Sequence, residues 1–155
     1  MRFPQMIEPI EQIRAYLRLN ERVATSGMPR PEQFAAIRSA GFEVVVNLAL
    51  PTSDNAMANE GDLVTAQGMA YVHIPVNFER PAREDFQKFE RVMDAFSERK
   101  VFVHCAANMR VSAFMYLYRV RKDPSCAPDA RKDMQRIWEP DGAWREFIDS
   151  LAPTG

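Results

Sequence analysis

The stretch VFVHCAANMRVSAF, residues 101–114, decides the fold. Three apolar residues, Val101, Phe102 and Val103, run into the pair His104-Cys105. A short loop of small residues follows, then Arg110. Beyond it Ala113, Phe114, Leu117 and Val120 recur at helical spacing, which predicts a helix over 110–121. Buried strand, tight loop and helix in that order are the unit of an α/β layered fold. In such folds ligands bind beyond the carboxyl ends of the strands, and Cys105 stands at one of those ends.

Working outward, the same alternation repeats. FEVVVNLAL, residues 42–50, is a near-continuous apolar run rich in β-branched residues, as expected of a strand covered on both faces. Residues 71–76 read as the next strand, with Pro75 marking its end or a sheet edge. Residues 22–25 read as a short strand stopping at Ser26-Gly27. Helices are expected over 6–19 (Ile7, Ile10, Ile13 and Leu17), from Pro31 to Gly41, over 57–67, and over 83–99, where Phe86, Phe89, Val92, Met93 and Phe96 form one stripe. Two more follow near 128–138 and 141–151, with Trp138 and Trp144 packing between them. The expected fold class is α/β: one domain over residues 1–155, a mostly parallel central sheet of about four or five strands, flanked by helices.

Composition limits the function. The chain has 155 residues, 46% of them apolar and 26% charged, in line with one globular domain. Twenty basic side chains oppose 21 acidic ones, a formal net charge of −1. That balance offers no footprint for nucleic acid or a membrane surface. No apolar run reaches the roughly 18 residues of a membrane span. The N-terminus carries acidic residues and lacks the continuous apolar core of a signal peptide. Two cysteines, Cys105 and Cys126, are too few for a disulfide scaffold, so a cytoplasmic setting is expected. The two histidines and scattered cysteines have no metal-ligand spacing, and no metal or cofactor is expected. His73 and Cys126 read as structural residues.

The loop after Cys105 carries the chemistry. The first N–H groups of a helix lack intrahelical partners and, with the helix dipole, favour an anion. Successive loop amides add a concave nest. Ala106 and Ala107 let the backbone come close to a ligand. Asn108 is among the few non-glycine types that tolerate left-handed angles. Arg110 supplies a planar fork suited to phosphate. A cysteine in that field is drawn toward its nucleophilic thiolate.

His104-Cys105, the short loop, Arg110 and Ser112 resemble the phosphate-binding loop of the cysteine-dependent protein tyrosine and dual-specificity phosphatase superfamily. Together with SGMPRPEQFAAIRSAGFEVVVNLAL (26–50) and GMAYVHIPVNFERP (68–81), they resemble the small bacterial phosphatase-like family that includes the β-lactamase-hydrolase-like domains. The likeness spans roughly residues 20–122, and the C-terminal helices, 128–151, complete the same domain. It implies a phosphatase-like fold and hydrolysis of phosphomonoesters, on protein or small molecule, without a metal. Cys105 would form a phosphocysteine intermediate. Backbone amides of Ala106, Ala107, Asn108, Met109, Arg110 and Val111, with the Arg110 guanidinium, would bind the phosphoryl oxygens. Ser112 would assist the departing thiolate, and His104 would support the loop from behind and favour the cysteine thiolate.

Two departures qualify that implication. The superfamily usually places five residues between cysteine and arginine, and here there are four. Either one loop residue is deleted, or Asn108 stands for the usual glycine, Ser112 keeps its place and Val111 occupies the arginine position. The second register accounts for both Asn108 and Ser112 and is preferred for the backbone. Asn77 stands where the family's aspartate acid is expected, and an amide cannot protonate a leaving group. Either Glu79 takes its place, with Asp85 more remote, or turnover is slow, or the natural leaving group is acidic enough to depart unaided. The sequence therefore also fits a pseudophosphatase that holds an anion or phosphorylated partner with little turnover. A rhodanese-like sulfurtransferase fits less well. The natural substrate and oligomeric state are open.

Overall fold

A computed structural model describes residues 6–153. Five strands form one sheet in the order β1-β2-β5-β3-β4. They are β1 (Leu17–Arg18), β2 (Val23–Ser26), β3 (Val44–Asn47), β4 (Ala70–His73) and β5 (Val101–His104). β2, β5, β3 and β4 run parallel, and only β1 is antiparallel, against β2. This is the mostly parallel α/β sheet that the alternating sequence predicts.

Strand alternation divides the core in two. Val44, Val46, Val101, Val103 and Cys105 face one side, against α3 (Arg83–Ala95), α4 (Met109–Lys122), α5 (Ala127–Gln135) and α6 (Gly142–Leu151). Phe114 of α4 centres that layer. Its ring lies 5.3 Å from Phe86, 5.5 Å from Phe89, 5.8 Å from Trp144 and 6.0 Å from Phe147. Val45 and Phe102 face the other side, with Phe34 and Ile37 of α1 (Phe34–Ser39) and Val64 of α2 (Glu60–Ala66). Gly41 (φ 95°) and Gly68 (φ 83°) end the chain segments after α1 and α2 in left-handed turns.

The expected helix over 6–19 is not formed. Pro9 enters with extended angles, and a single 3-10 turn, Ile10–Gln12, follows. Ala15 then takes a positive φ of 53°, which reverses the chain into β1. Leu17 and Arg18 pair with Thr25 and Ala24 and cover the edge of β2. Ile13 and Leu17 are buried as their spacing suggests, but Ile7 is half exposed. Ladder pairing and the missing N–H of Pro9 outweigh the helical spacing. The other strand differences are at the ends. FEVVVNLAL supplies only 44–47 to the ladder, and 74–76 leave β4 while Ile74 and Val76 still donate to Asn47 and Leu48.

Candidate active site

The last rung of the sheet differs from those before it. Val23–Val101–Val44–Ala70 and Ala24–Phe102–Val45–Tyr71 are nearly all apolar, whereas Ser26–His104–Asn47–His73 is polar across four strands. Polar groups collect where the carboxyl ends open, as expected of a ligand-binding edge.

The 105–108 loop is anchored from two sides. The Ala106 carbonyl accepts from the Met28 N–H at 3.1 Å and from Asn55 Nδ2 at 3.3 Å. Because the peptide is planar and trans, the Ala107 N–H points the opposite way. A Cβ on Gly27 would lie 2.8 Å from the Ala106 oxygen, so only glycine lets β2 meet this loop. Asn108 has left-handed angles, φ 65° and ψ 4°, and is the N-cap of α4. Its Nδ2 donates to the Ala15 carbonyl at 2.9 Å and to Thr25 Oγ1 at 3.0 Å. The first bond of the helix runs from the Ser112 N–H to the Asn108 carbonyl at 2.9 Å. The N–H groups of Met109, Arg110 and Val111 precede that bond, and no side chain caps them. Cys105 is fully buried beneath this turn.

Arg110 is only 6% exposed. Its Nη1 donates to the Val76 carbonyl at 2.9 Å, and its guanidinium lies 5.9 Å from the Phe78 ring centre. Among the described residues no carboxylate comes within ion-pair reach of it. A buried guanidinium with one carbonyl partner is costly unless an anion completes it. Arg110 thereby draws the 76–80 segment to the loop, and Trp144 Nε1 fixes that segment by donating to the Phe78 carbonyl at 2.8 Å.

The remaining predicted residues are placed less centrally. Asn77 is exposed, and its Oδ1 accepts from the N–H groups of Glu79 (2.8 Å) and Arg80 (3.3 Å), closing a local turn. Glu79 is exposed on that turn. Asp85 sits in the first turn of α3, 4.0 Å from Lys88. The Ser112 hydroxyl donates to the Met109 carbonyl at 2.9 Å and accepts from Trp138 Nε1 at 2.9 Å. Trp138, expected to pack helices, also donates to the Met109 carbonyl at 3.1 Å and so joins the 136–140 segment to the start of α4. His73 Nε2 lies 2.7 Å from the Ala49 carbonyl.

Behind the loop is a polar network that the sequence does not announce. Strand alternation turns His104 to the face opposite Cys105, where α2 packs. His104 Nε2 lies 2.5 Å from Glu60 Oε2, both side chains being buried. Asn47 Nδ2 donates to Glu60 Oε1 at 3.3 Å and to the Tyr71 hydroxyl at 3.0 Å, and Asn47 Oδ1 accepts from the Ala49 N–H at 2.8 Å. Burial pushes the Tyr71 phenol up to about 12; the Asn47 donor opposes this and the Glu60 charge adds to it. Gly27 has a sequence signal, a glycine closing a strand. Glu60, Asn47, Tyr71 and Asn55 have none, since their partners come from distant segments.

Comparison with known proteins agrees with this geometry. A phosphatase candidate from Shewanella putrefaciens has the same fold, with a TM-score of 0.85 and 35% identity over 94% of this chain and 96% of that one. The catalytic core of the S. cerevisiae PP-IP phosphatase SIW14, solved with citrate, shares the fold alone, at TM-score 0.74 and 12% identity over 93% of this chain and 87% of that one. A β-lactamase hydrolase-like protein of Xylella fastidiosa is 32% identical over 95 residues, which is 59% of this chain but 22% of that protein. The chain thus spans about a fifth of the length of the curated relatives it matches. The family described as DSP-PTPase phosphatase fused to NAD+ kinase matches residues 14–143. With the phosphatase sheet, the cysteine at its carboxyl edge and that match over most of its length, the chain belongs to this family.

Proposed function

We propose that the chain hydrolyses phosphomonoesters through a cysteinyl-phosphate at Cys105, with no metal in the reaction. The observation that carries this reading is the buried Arg110, which has no carboxylate partner among the described residues, in the first turn of α4, whose three uncapped amides follow the Cys105 loop. In this reading the cation and the N–H donors act together on one anion.

In this reading the Cys105 thiolate attacks phosphorus and a P–S bond forms as the ester P–O bond breaks. The leaving oxygen takes the electron pair and a proton from Glu79. Water then attacks phosphorus, the P–S pair returns to sulfur, and the Glu79 carboxylate takes the water proton. Amides of Ala107 and Met109 to Val111, with the Arg110 guanidinium, hold the phosphoryl oxygens. Ser112 enters as a brace of the first α4 turn, since its hydroxyl hydrogen is committed to the Met109 carbonyl. A second reading, an anion-holding pseudophosphatase, is favoured by the complete burial of Cys105 and by the Asn77 amide at the acid position.

The test is turnover of an aryl phosphate by wild type and Cys105→Ser, with and without vanadate and a chelator. Turnover that survives chelation and is lost with the substitution and with vanadate is the expected result. No turnover, with phosphate still stabilising the fold, selects the second reading. Turnover that the chelator abolishes would refute both.

A further inference from the structure

We propose that Glu60 is a positioning residue for Cys105: its carboxylate holds His104 as an imidazolium whose second ring nitrogen faces the Cys105 carbonyl. The inference rests on Cys105 being the reactive residue, but not on any particular substrate.

The geometry is a chain of donors and acceptors. His104 Nε2 meets Glu60 Oε2 at 2.5 Å, and His104 Nδ1 meets the Cys105 carbonyl oxygen at 3.4 Å. An ionised carboxylate and a carbonyl both only accept, so the ring satisfies both at once only with a proton on each nitrogen. A second donor, Asn47 Nδ2, reaches the other Glu60 oxygen, Oε1, at 3.3 Å. A neutral histidine bonded to that carboxylate would aim a lone pair at the Cys105 oxygen. His104 is 0% and Glu60 2% exposed, so little solvent can replace either partner. The result is a cation beside the peptide that joins Cys105 to the loop.

Other groups face this network. Tyr71 of β4 reaches it through Asn47, His73 lies across the strand from Asn47, and Arg110 of α4 is bonded away from it, to the Val76 carbonyl. Tyr71 and His73 line, with Asn47 and Glu60, a cavity of about 320 Å³ beneath the 50–58 segment. Tyr71 stays neutral across the range in which a thiol titrates. The Glu60 and His104 charges therefore govern the field from the α2 side.

Glu60→Gln separates charge from shape. The glutamine oxygen can still accept from Asn47, and its amide can donate to His104 Nε2. That leaves a neutral histidine with its single hydrogen on Nδ1, toward Cys105. The bonds survive, and the two opposite charges are lost together, the imidazolium being the nearer one to Cys105. The readout is thiolate absorbance against pH, with the Cys105→Ser profile subtracted. The expected result is a Cys105 titration midpoint about one pH unit higher in Glu60→Gln than in wild type, with folding retained. Superimposable profiles would overturn the proposal and leave Glu60 a structural hydrogen-bond partner. If the variant does not fold, nitrogen NMR of histidine-labelled wild type decides: two protonated ring nitrogens on His104 at neutral pH support the proposal, and one overturns it. Neither readout needs turnover, so a failed phosphatase assay and a failed Glu60 assignment are told apart.

Discussion

Replacing Arg110 by methionine tests the anion reading at its strongest point. Two losses follow from the structure. The charged hydrogen bond to Val76 contributes about 1.5–3 kcal/mol. The guanidinium over Phe78 contributes about 0.5–2 kcal/mol. Against these stands the removal of a buried cation without a carboxylate, whose desolvation costs several kcal/mol. The sums nearly cancel, so Arg110→Met should change the stability of the anion-free protein by no more than about 2 kcal/mol in either direction. Phosphate should distinguish the two proteins sharply. An anion at one hundred times its dissociation constant stabilises wild type by about 2.7 kcal/mol. For a chain of this size that is roughly 5–10 °C in Tm. The variant should show almost none of it. Thermal unfolding of both proteins with and without inorganic phosphate is the assay. An equal phosphate shift in both would show that Arg110 does not touch the anion. A loss well beyond 2 kcal/mol without phosphate would make the guanidinium a structural strut instead.

Three further outcomes follow from the same geometry. Gly27→Ala should destabilise by about 1–3 kcal/mol and shrink the phosphate-induced Tm shift, because its Cβ would press on the Ala106 oxygen; urea unfolding with and without phosphate measures both effects. Asn108→Ala should lose about 3 kcal/mol, from two hydrogen bonds of about 1 kcal/mol each and left-handed strain of about 1 kcal/mol. Asn108→Gly should recover about 1 kcal/mol of that, and equal stability of the two variants would contradict the left-handed assignment. Tyr71 is raised from 10.0 to about 12, so the unfolded chain ionises first as pH rises. Its contribution is fully present below pH 10 and is lost between about 10 and 12. Tyr71→Phe should therefore lose stability less steeply across that window, although Tyr16 and Tyr118, also raised by burial, keep part of the slope.

What could be read from the sequence divides by the range of the interaction. The buried strands, the α3 stripe and the loop at Cys105 were legible because apolar period and small residues are local signals. The Ile7–Leu17 spacing misled because Leu17 serves a two-residue edge strand whose partner, Thr25, comes after the turn held by Asn20. Glu60 was invisible for a related reason. A glutamate at a helix start ordinarily reads as a solvated first-turn acid. Its burial depends on β5 turning His104, 44 residues away, toward α2. Asn77 was legible as a departure from an acid, but its use as a turn-forming acceptor is seen only in the folded segment.

The four-residue spacing between Cys105 and Arg110 has a geometric answer. Asn108 takes the left-handed angles that the preferred register requires, and α4 begins at the next residue. Helical side chains tilt toward the N-terminus, so the second helical residue overhangs the loop mouth. Arg110 occupies that place and reaches Val76 and Phe78. The next residue is turned by about 100°, and Val111 there is fully buried in the layer that holds Val103 and Phe114. An arginine at position 111 would bury its charge among those side chains. With α4 starting at Met109, position 110 is the one turned away from that apolar layer, and in the proposed reading the shorter spacing follows from where the helix begins.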